Sequence, residues 1–236
     1  MKLDPSFIWT AVVGLLAALP TTLYITIVSV SCGFIIGTAI ALIRIYKVPV
    51  LYPIAASYVT FIRGTPMLTH LLLIYFGLQL IIDSLAKQFG WSFNSASIPM
   101  IGFAYISFSI TASAYMSEVI RSGLLAVNKG QMEAAYSVGM TTPQALRRIL
   151  FPQALAASLP NLSNNVIGML HGSTLAFTVS VVDLNAQAQI VASTNWKFAE
   201  AYIAAALIFW ALTFLIERAT GLIERRINVY NKGGVA

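Results

Sequence analysis

From Pro5 to Ile43 the chain carries no charged residue, almost twice the roughly 20 apolar residues that a helix needs to cross bilayer hydrocarbon. A run of that length has to hold a crossing and something more, so we expect an interfacial segment over Phe7–Leu19 followed by a first span over 20–43. The remainder is built alike. Charged residues make up 9% of the chain and hydrophobic ones 58%, against about 25% charged in soluble domains. The reading is all-α integral membrane, one domain over 1–236 with five transmembrane helices and an N-terminal interfacial segment. The later spans are expected at about 53–82, 98–120, 154–182 and 200–222.

Five crossings put the termini on opposite sides of the bilayer, and the basic residues decide which is which. With the C-terminus inside, the cytoplasmic segments hold Arg44, Lys47, Arg121, Lys129, Arg147, Arg148, Arg218, Arg225, Arg226 and Lys232. Lys2, Lys87 and Lys197 fall outside. This positive-inside bias predicts an extracytoplasmic N-terminus and a cytoplasmic C-terminus. It also accounts for the net charge of +6 without nucleic acid as a partner. Five spans cannot be halved into inverted repeats, which disfavours a self-contained secondary transporter. No GxxxxGK[ST] phosphate loop is present, so uphill transport would draw its energy from another chain. Two histidines and one cysteine, Cys32, within the apolar runs argue against a metal site or an internal disulfide.

Between the third and fourth spans lies a polar segment, 121–153. Within it Asn128 can cap a short helix with Gln131 at the third helical position, and Gly139 can close that helix in the left-handed conformation. Thr142 and Pro143 can open a second helix that Pro152 ends or kinks. The expectation is a two-helix knob on the cytoplasmic side. Its residues Glu133, Ala134, Ala135, Gly139, Ile149 and Pro152 stand in the register of the EAA loop. The segment thus closely resembles that of permease subunits of ATP-binding-cassette (ABC) importers, with Phe151 in place of the usual leucine. The resemblance implies the ABC importer permease fold, with the knob as a coupling loop that docks on a cytoplasmic ATPase. A DNA-reading helix-turn-helix is disfavoured by the flanking apolar spans.

Arg63-Gly64-Thr65-Pro66 interrupts the second span and matches the RGTP signature of the polar amino-acid branch of these importers. If the helix starts near Pro53, Arg63 lies near mid-membrane; if a helix opens at Pro66 with Thr65 as its cap, Arg63 lies near the cytoplasmic surface. Both alternatives are open. His70, one turn beyond, reads as a satisfied buried histidine. In the first span Thr22, Thr26, Ser29, Gly33 and Gly37 share a face that suits close helix packing.

Polar groups inside spans default to a functional reading because they are costly in lipid. Ser107, Thr111, Ala114, Glu118 and Arg121 share one face of the third span, and Glu118 and Arg121 are spaced to pair. Ala114 to Arg121 looks like the AYxxExxR segment of the same importer branch. The pair is either a structural brace or part of an inner gate. On the fourth span Asn161, Asn164, Asn165, Gly168, His171 and Gly172 form one polar stripe. Beside it, His171 to Leu175 departs from the KDTSL common in the family, lacking its lysine and its acid. Asn161, Asn164, Asn165, His171, Ser173 and Thr174 are therefore the candidate substrate-pathway residues, with polar packing between spans or subunits as the alternative.

The resemblance, covering roughly Pro20 to Arg226, implies a non-enzymatic permease subunit of a bacterial inner-membrane importer for a polar amino acid. The segment STLAFTVSVVDLNAQAQ looks most like permeases of cystine uptake. Implied partners are two ABC ATPase subunits, a second permease subunit, either identical or homologous, and an extracytoplasmic solute-binding protein. The chain itself would bind no cofactor; ATP and Mg would sit on the partner ATPase. A passive channel without an ATPase is the rival reading, and a membrane enzyme using Glu118 and His171 a remoter one.

Overall fold

The computed structural model describes residues 3–231, with side chains described to Ile227. Lys2 and Lys232, which enter the charge bias, lie outside the described residues. Every regular element among the described residues is helical. Helix α1, Pro5–Leu15, opens at Asp4, whose Oδ1 accepts from the backbone N–H of Ser6 and Phe7 at 3.0 and 3.3 Å. A 3-10 turn, Leu16–Ala18, leads into α2, Leu19–Ile45. After a tight turn come α3, Leu51–Gly64, and α4, Met67–Phe89, which ends at Gly90 in the left-handed conformation. Helix α5, Met100–Ala126, is about 40 Å long at 1.5 Å per residue.

The polar segment forms α6, Lys129–Ser137, and α7, Thr142–Ala145. A π-helical turn, Leu146–Leu150, joins α7 to α8, Phe151–Gly172. A 3-10 stretch, Ser173–Val179, leads to α9, Leu184–Ser193, which Asp183 caps, and then to α10, Phe198–Asn231. By length and composition three segments are apolar enough to cross a membrane, Pro5–Ile45, Met67–Phe89 and Phe198–Ile227. A fourth is reached if the bent pair Thr142–Val179 and Leu184–Ser193 counts as one broken span. Helix α5 has the length, but it buries Ser107, Ser109, Thr111, Ser113 and Ser117 among its apolar residues.

The helices pack through small side chains. Helices α2 and α5 run side by side in the same direction: Ile25 clusters with Ala104 and Phe108, while Gly37 lies against Ser113, Met116 and Ser117. A Cβ on Gly33 would stand 2.5 Å from the Ala112 Cβ, so the glycine face of α2 is a packing surface, where close backbone approach replaces a hydrophobic drive that lipid does not supply. At the other edge Ala11 and Leu15 of α1 pack with Ala188 and Ala192 of α9 and Ala201, Ala204 and Ala205 of α10. The Lys197 ammonium bonds Asp4 Oδ2 at 2.6 Å, and Glu200 accepts from the Asp4 backbone N–H. Asp4 and the start of α10 therefore lie at the same end of the molecule. Large side chains such as Ile27, Ile35, Leu73, Leu80, Trp210 and Leu215 remain exposed, as a lipid-facing surface requires.

Candidate functional site

Proline disfavours helical backbone in the residue before it and has no N–H to donate, so the expected second span breaks at Thr65-Pro66. Both residues are extended, with φ/ψ of −123°/151° and −64°/141°. Pro66 caps α4 where Thr65 was the expected cap. The Thr65 hydroxyl instead donates to the Phe61 carbonyl at 2.7 Å and meets His70 Nε2. His70 Nδ1 lies 3.2 Å from Thr111 Oγ1, and the ring is buried with both nitrogens engaged. The break thus sits beside the middle of α5 and away from its ends. Thr111 comes about 17 Å along that helix and Glu118 about 27 Å.

The gap left by the break is one wall of a cavity of about 330 Å³, formed there by Thr65 and Met67. Thr111 and Tyr115 of α5 make the second wall, and Asn164, Asn165, Gly168 and Met169 of α8 the third. Among the described residues no charged one lines it. The lining residues include two amides, Asn164 and Asn165, and three hydroxyl-bearing side chains, Thr65, Thr111 and Tyr115, with two methionines and the tyrosine ring as apolar surface, a composition typical of small-molecule pockets.

Of the six candidate pathway residues, the structure brings two to this cavity, Asn164 and Asn165. Asn161 is exposed one turn away, and its carbonyl accepts from Asn165 Nδ2 at 2.8 Å. His171 turns toward α10, with Nε2 3.1 Å from Thr213 Oγ1 and its ring edge-on to Phe209. Ser173 is buried with its hydroxyl on the Leu170 carbonyl, and the Thr174 hydroxyl bonds the His171 carbonyl. The helical wheel fails beyond Gly172 because the chain tightens there to 3-10 geometry, with about three residues per turn. Met67, Tyr115 and Met169 had no assigned role in the sequence. Tyr115 lay within the AYxxExxR match, but attention to ionisable groups passed over it.

Glu118 has more partners than its spacing to Arg121 announces. Arg121 holds Oε2 through Nε and Nη2 at 3.1 and 2.8 Å. Arg44, in the last turn of α2, holds Oε1 at 2.6 Å, and Arg63 stands 3.6 Å from the same oxygen. Glu118 therefore ties α2 and α3 to α5. Its side chain is only 19% exposed, so these pairs are better shielded from water and salt than ordinary surface pairs.

At the far end of α5 the polar segment folds back on itself. Asn128 Oδ1 accepts from the Gly130 N–H at 2.9 Å, and Gly139, at φ 80°, closes α6 with the Met140 N–H on the Ala135 carbonyl. The Gln131 N–H donates to the Asn128 carbonyl at 3.0 Å, but its side-chain oxygen lies toward Gln153 and not back on the cap; the reciprocal bond is made one helix later, where Gln144 accepts from the Thr141 N–H at 2.9 Å. Pro152 does not end the second helix. A π turn before it absorbs the missing N–H, and α7 runs on into α8. Ala135 is buried, Ile149 and Pro152 are half-buried, and Glu133, Ala134, Gly139 and Val138 are exposed. The knob thus has a fixed base and a free outer face.

Residues 29–229 match the family described as binding-protein-dependent transport system inner membrane component. The chain is 37% identical to the probable amino-acid permease protein YxeN of Bacillus subtilis over 96% of both chains. It is 36% identical to the L-cystine transport system permease protein TcyL of the same organism, over 95% of this chain and 91% of the relative. A crystal structure of an amino acid ABC transporter with histidines superposes with a TM-score of 0.79 at 36% identity, covering 96% of this chain and all of the other.

Proposed function

Because the chain belongs to the binding-protein-dependent inner-membrane transport family, we propose that it passes a polar amino acid through the cavity between the α3–α4 break, α5 and α8. The chain is a permease subunit of an ABC importer, an integral inner-membrane protein, and is not itself an enzyme; ATP hydrolysis belongs to a separate subunit. The observation that carries the solute pathway is the placement of the cavity. It lies beside a broken helix at mid-length of the bundle, where membrane transporters commonly build solute sites. Its neutral amides and hydroxyls suit the ammonium of an amino acid stripped of water, and the two methionines and Tyr115 suit an uncharged side chain. Cystine is the first solute to test, given the relatives above.

We read the Glu133–Gly139 knob as the ATPase-docking element, with Ile149 and Pro152 anchoring it to α8. Two ATPases carrying ATP and Mg, a second permease subunit and an extracytoplasmic binding protein complete the assembly in this reading. The exposed Asn161 on α8 suits contact with the second permease. Five crossings with the N-terminus outside agree with the charge bias. They agree also with the Asp4–Lys197 contact, which joins two segments assigned to the external face.

The test is ATP-driven uptake by the permease reconstituted in liposomes with its partner ATPase and binding protein. Uptake of radiolabelled cystine or another polar amino acid that requires all three components, and that falls in Asn165→Ala, is the expected result. Solute flux without ATPase or ATP would instead support the passive-channel reading.

A further inference from the structure

We propose that Arg63 is the carboxylate-recognition residue of this permease, taking the carboxylate of the solute held in the cavity; the assignment rests on the cavity reading above. Three guanidinium groups, on Arg44, Arg63 and Arg121, meet the single carboxylate of Glu118. Among the described residues no second acid pairs with any of them, so the cluster carries two positive charges in surplus.

The three arginines are not equivalent. Arg44 is bonded to Oε1 at 2.6 Å and Arg121 to Oε2 through two nitrogens, so both hydrogen-bonded guanidiniums of the cluster are spent on Glu118. Arg63 stands 3.6 Å from Oε1, too far for a hydrogen bond, and its side chain is 45% exposed. It therefore holds an unspent fork of N–H donors, the geometry that binds a carboxylate through two parallel bonds.

Arg63 does not line the cavity, but it stands next to a residue that does. The Arg63 guanidinium lies over the Tyr115 ring, 5.7 Å from the centroid, and Tyr115 is a cavity wall. Two residues along the chain, Thr65 is another. The cavity lining itself is uncharged, so it cannot balance the carboxylate of an amino acid, and the surplus cation beside it can. A cation held among spanning helices is costly without a counter-ion. An entering carboxylate removes that cost and gains a charge-assisted hydrogen bond. The rival source of an oxyanion is the phosphate of an acidic phospholipid.

The experiment uses the complex of permease and ATPase in phosphatidylcholine nanodiscs. The probes are a mixture of the standard amino acids plus cystine and the same mixture as carboxamides, with ligand-induced thermal stabilisation titrated for each. The wild type should respond to the free acids at concentrations about tenfold to a hundredfold lower than to the amides. Arg63→Gln should abolish that ratio, and Arg63→Lys, which keeps the charge and loses the fork, should restore part of it. Assembly with the ATPase reports whether each variant folds. If Asn165→Ala leaves the response to acids and amides intact, the cavity reading has failed, and this assignment falls with it. If Asn165→Ala weakens both while Arg63→Gln or Arg63→Lys keeps the wild-type ratio, the cavity stands and the Arg63 assignment is overturned. An effect of Arg63→Gln seen only when phosphatidylglycerol is present would identify the lipid as the counter-ion, and would also overturn it.

Discussion

Glu118 is the residue that holds α2, α3 and α5 together at one level, because one carboxylate offsets charge from three helices. Removing one member of a shielded ion pair leaves the others uncompensated, at a cost of about 3–5 kcal/mol in a fully buried site. The partial exposure of this cluster, 15% for Arg44 and 19% for Glu118, should hold the figure near or below the lower bound. Glu118→Gln is accordingly expected to lower the melting temperature of the detergent-solubilised protein by several degrees. Arg44→Gln should cost more than Arg121→Gln, since Arg44 is less exposed and links two helices, whereas Arg121 shares α5 with Glu118. A double-mutant cycle that found 121–118 the stronger coupling would contradict this ranking. The Arg121–Glu118 spacing was visible in the chain because both residues lie on one helix. The Arg44 contact spans 74 positions, and no periodicity along a single helix can announce it.

At the scale of elements, two contacts define how the helices sit. Helix α2 meets α5 through Gly33 and Gly37, where an added Cβ would fall within 3.0 Å of α5 backbone atoms. Gly33→Val should force the helices apart and cost about 1–3 kcal/mol, as overpacking does elsewhere, read as lost thermal stability or lost assembly with the ATPase. The same substitution at Gly77, which has open space around it, should cost far less and serves as the control. Helix α1 is tied to α10 by Asp4, whose carboxyl is held well below the usual carboxylate range, chiefly by the hydrogen bond from Lys197 and then by Ser6. A depressed pKa means that the tie is complete above the ordinary carboxylate pKa and is lost only as pH falls below it. Proteolysis near the N-terminus should therefore be unchanged from pH 8 to pH 5 in the wild type and faster throughout that range in Asp4→Asn. A steep rise in wild-type cleavage between pH 7 and pH 5 would refute the assignment. The break between α3 and α4 was one of two alternatives that Arg63-Gly64-Thr65-Pro66 left open, and the structure takes the one in which a helix opens after Thr65. Its level beside Thr111 was not legible, because depth along a neighbouring helix is set by packing and leaves no local signal.

For the whole molecule, hydropathy located the apolar segments and the glycine, proline and capping residues located the polar knob, since both signals are local in the chain. The cavity was only half legible: Asn164 and Asn165 stood on a readable stripe, while Met67, Tyr115 and Met169 became partners only when three helices met. Ser173 and Thr174, read as lying beside that stripe, fall in the 3-10 stretch after Gly172, where their hydroxyls bond carbonyls of the preceding turn. The knob's separation from the cavity makes a prediction about the assembly. Its outer face, Glu133, Ala134 and Gly139, is exposed and makes no contact that the bundle needs, while Ala135 is buried beneath it. Glu133→Lys should therefore leave membrane insertion and solute binding unchanged and abolish co-purification with the ATPase or ATP-driven uptake. Gly139→Ala acts differently: there is open space at that position, so the penalty comes from φ 80° alone, about 1–2 kcal/mol for a residue with a Cβ. That strain should loosen the turn between α6 and α7 and weaken ATPase docking partially. Ala135→Glu, which buries a charge at the base of the knob, should instead disturb folding of the segment itself. Uptake at wild-type rates in both Glu133→Lys and Gly139→Ala would remove this face from the coupling path and leave energy to enter through another surface of the chain.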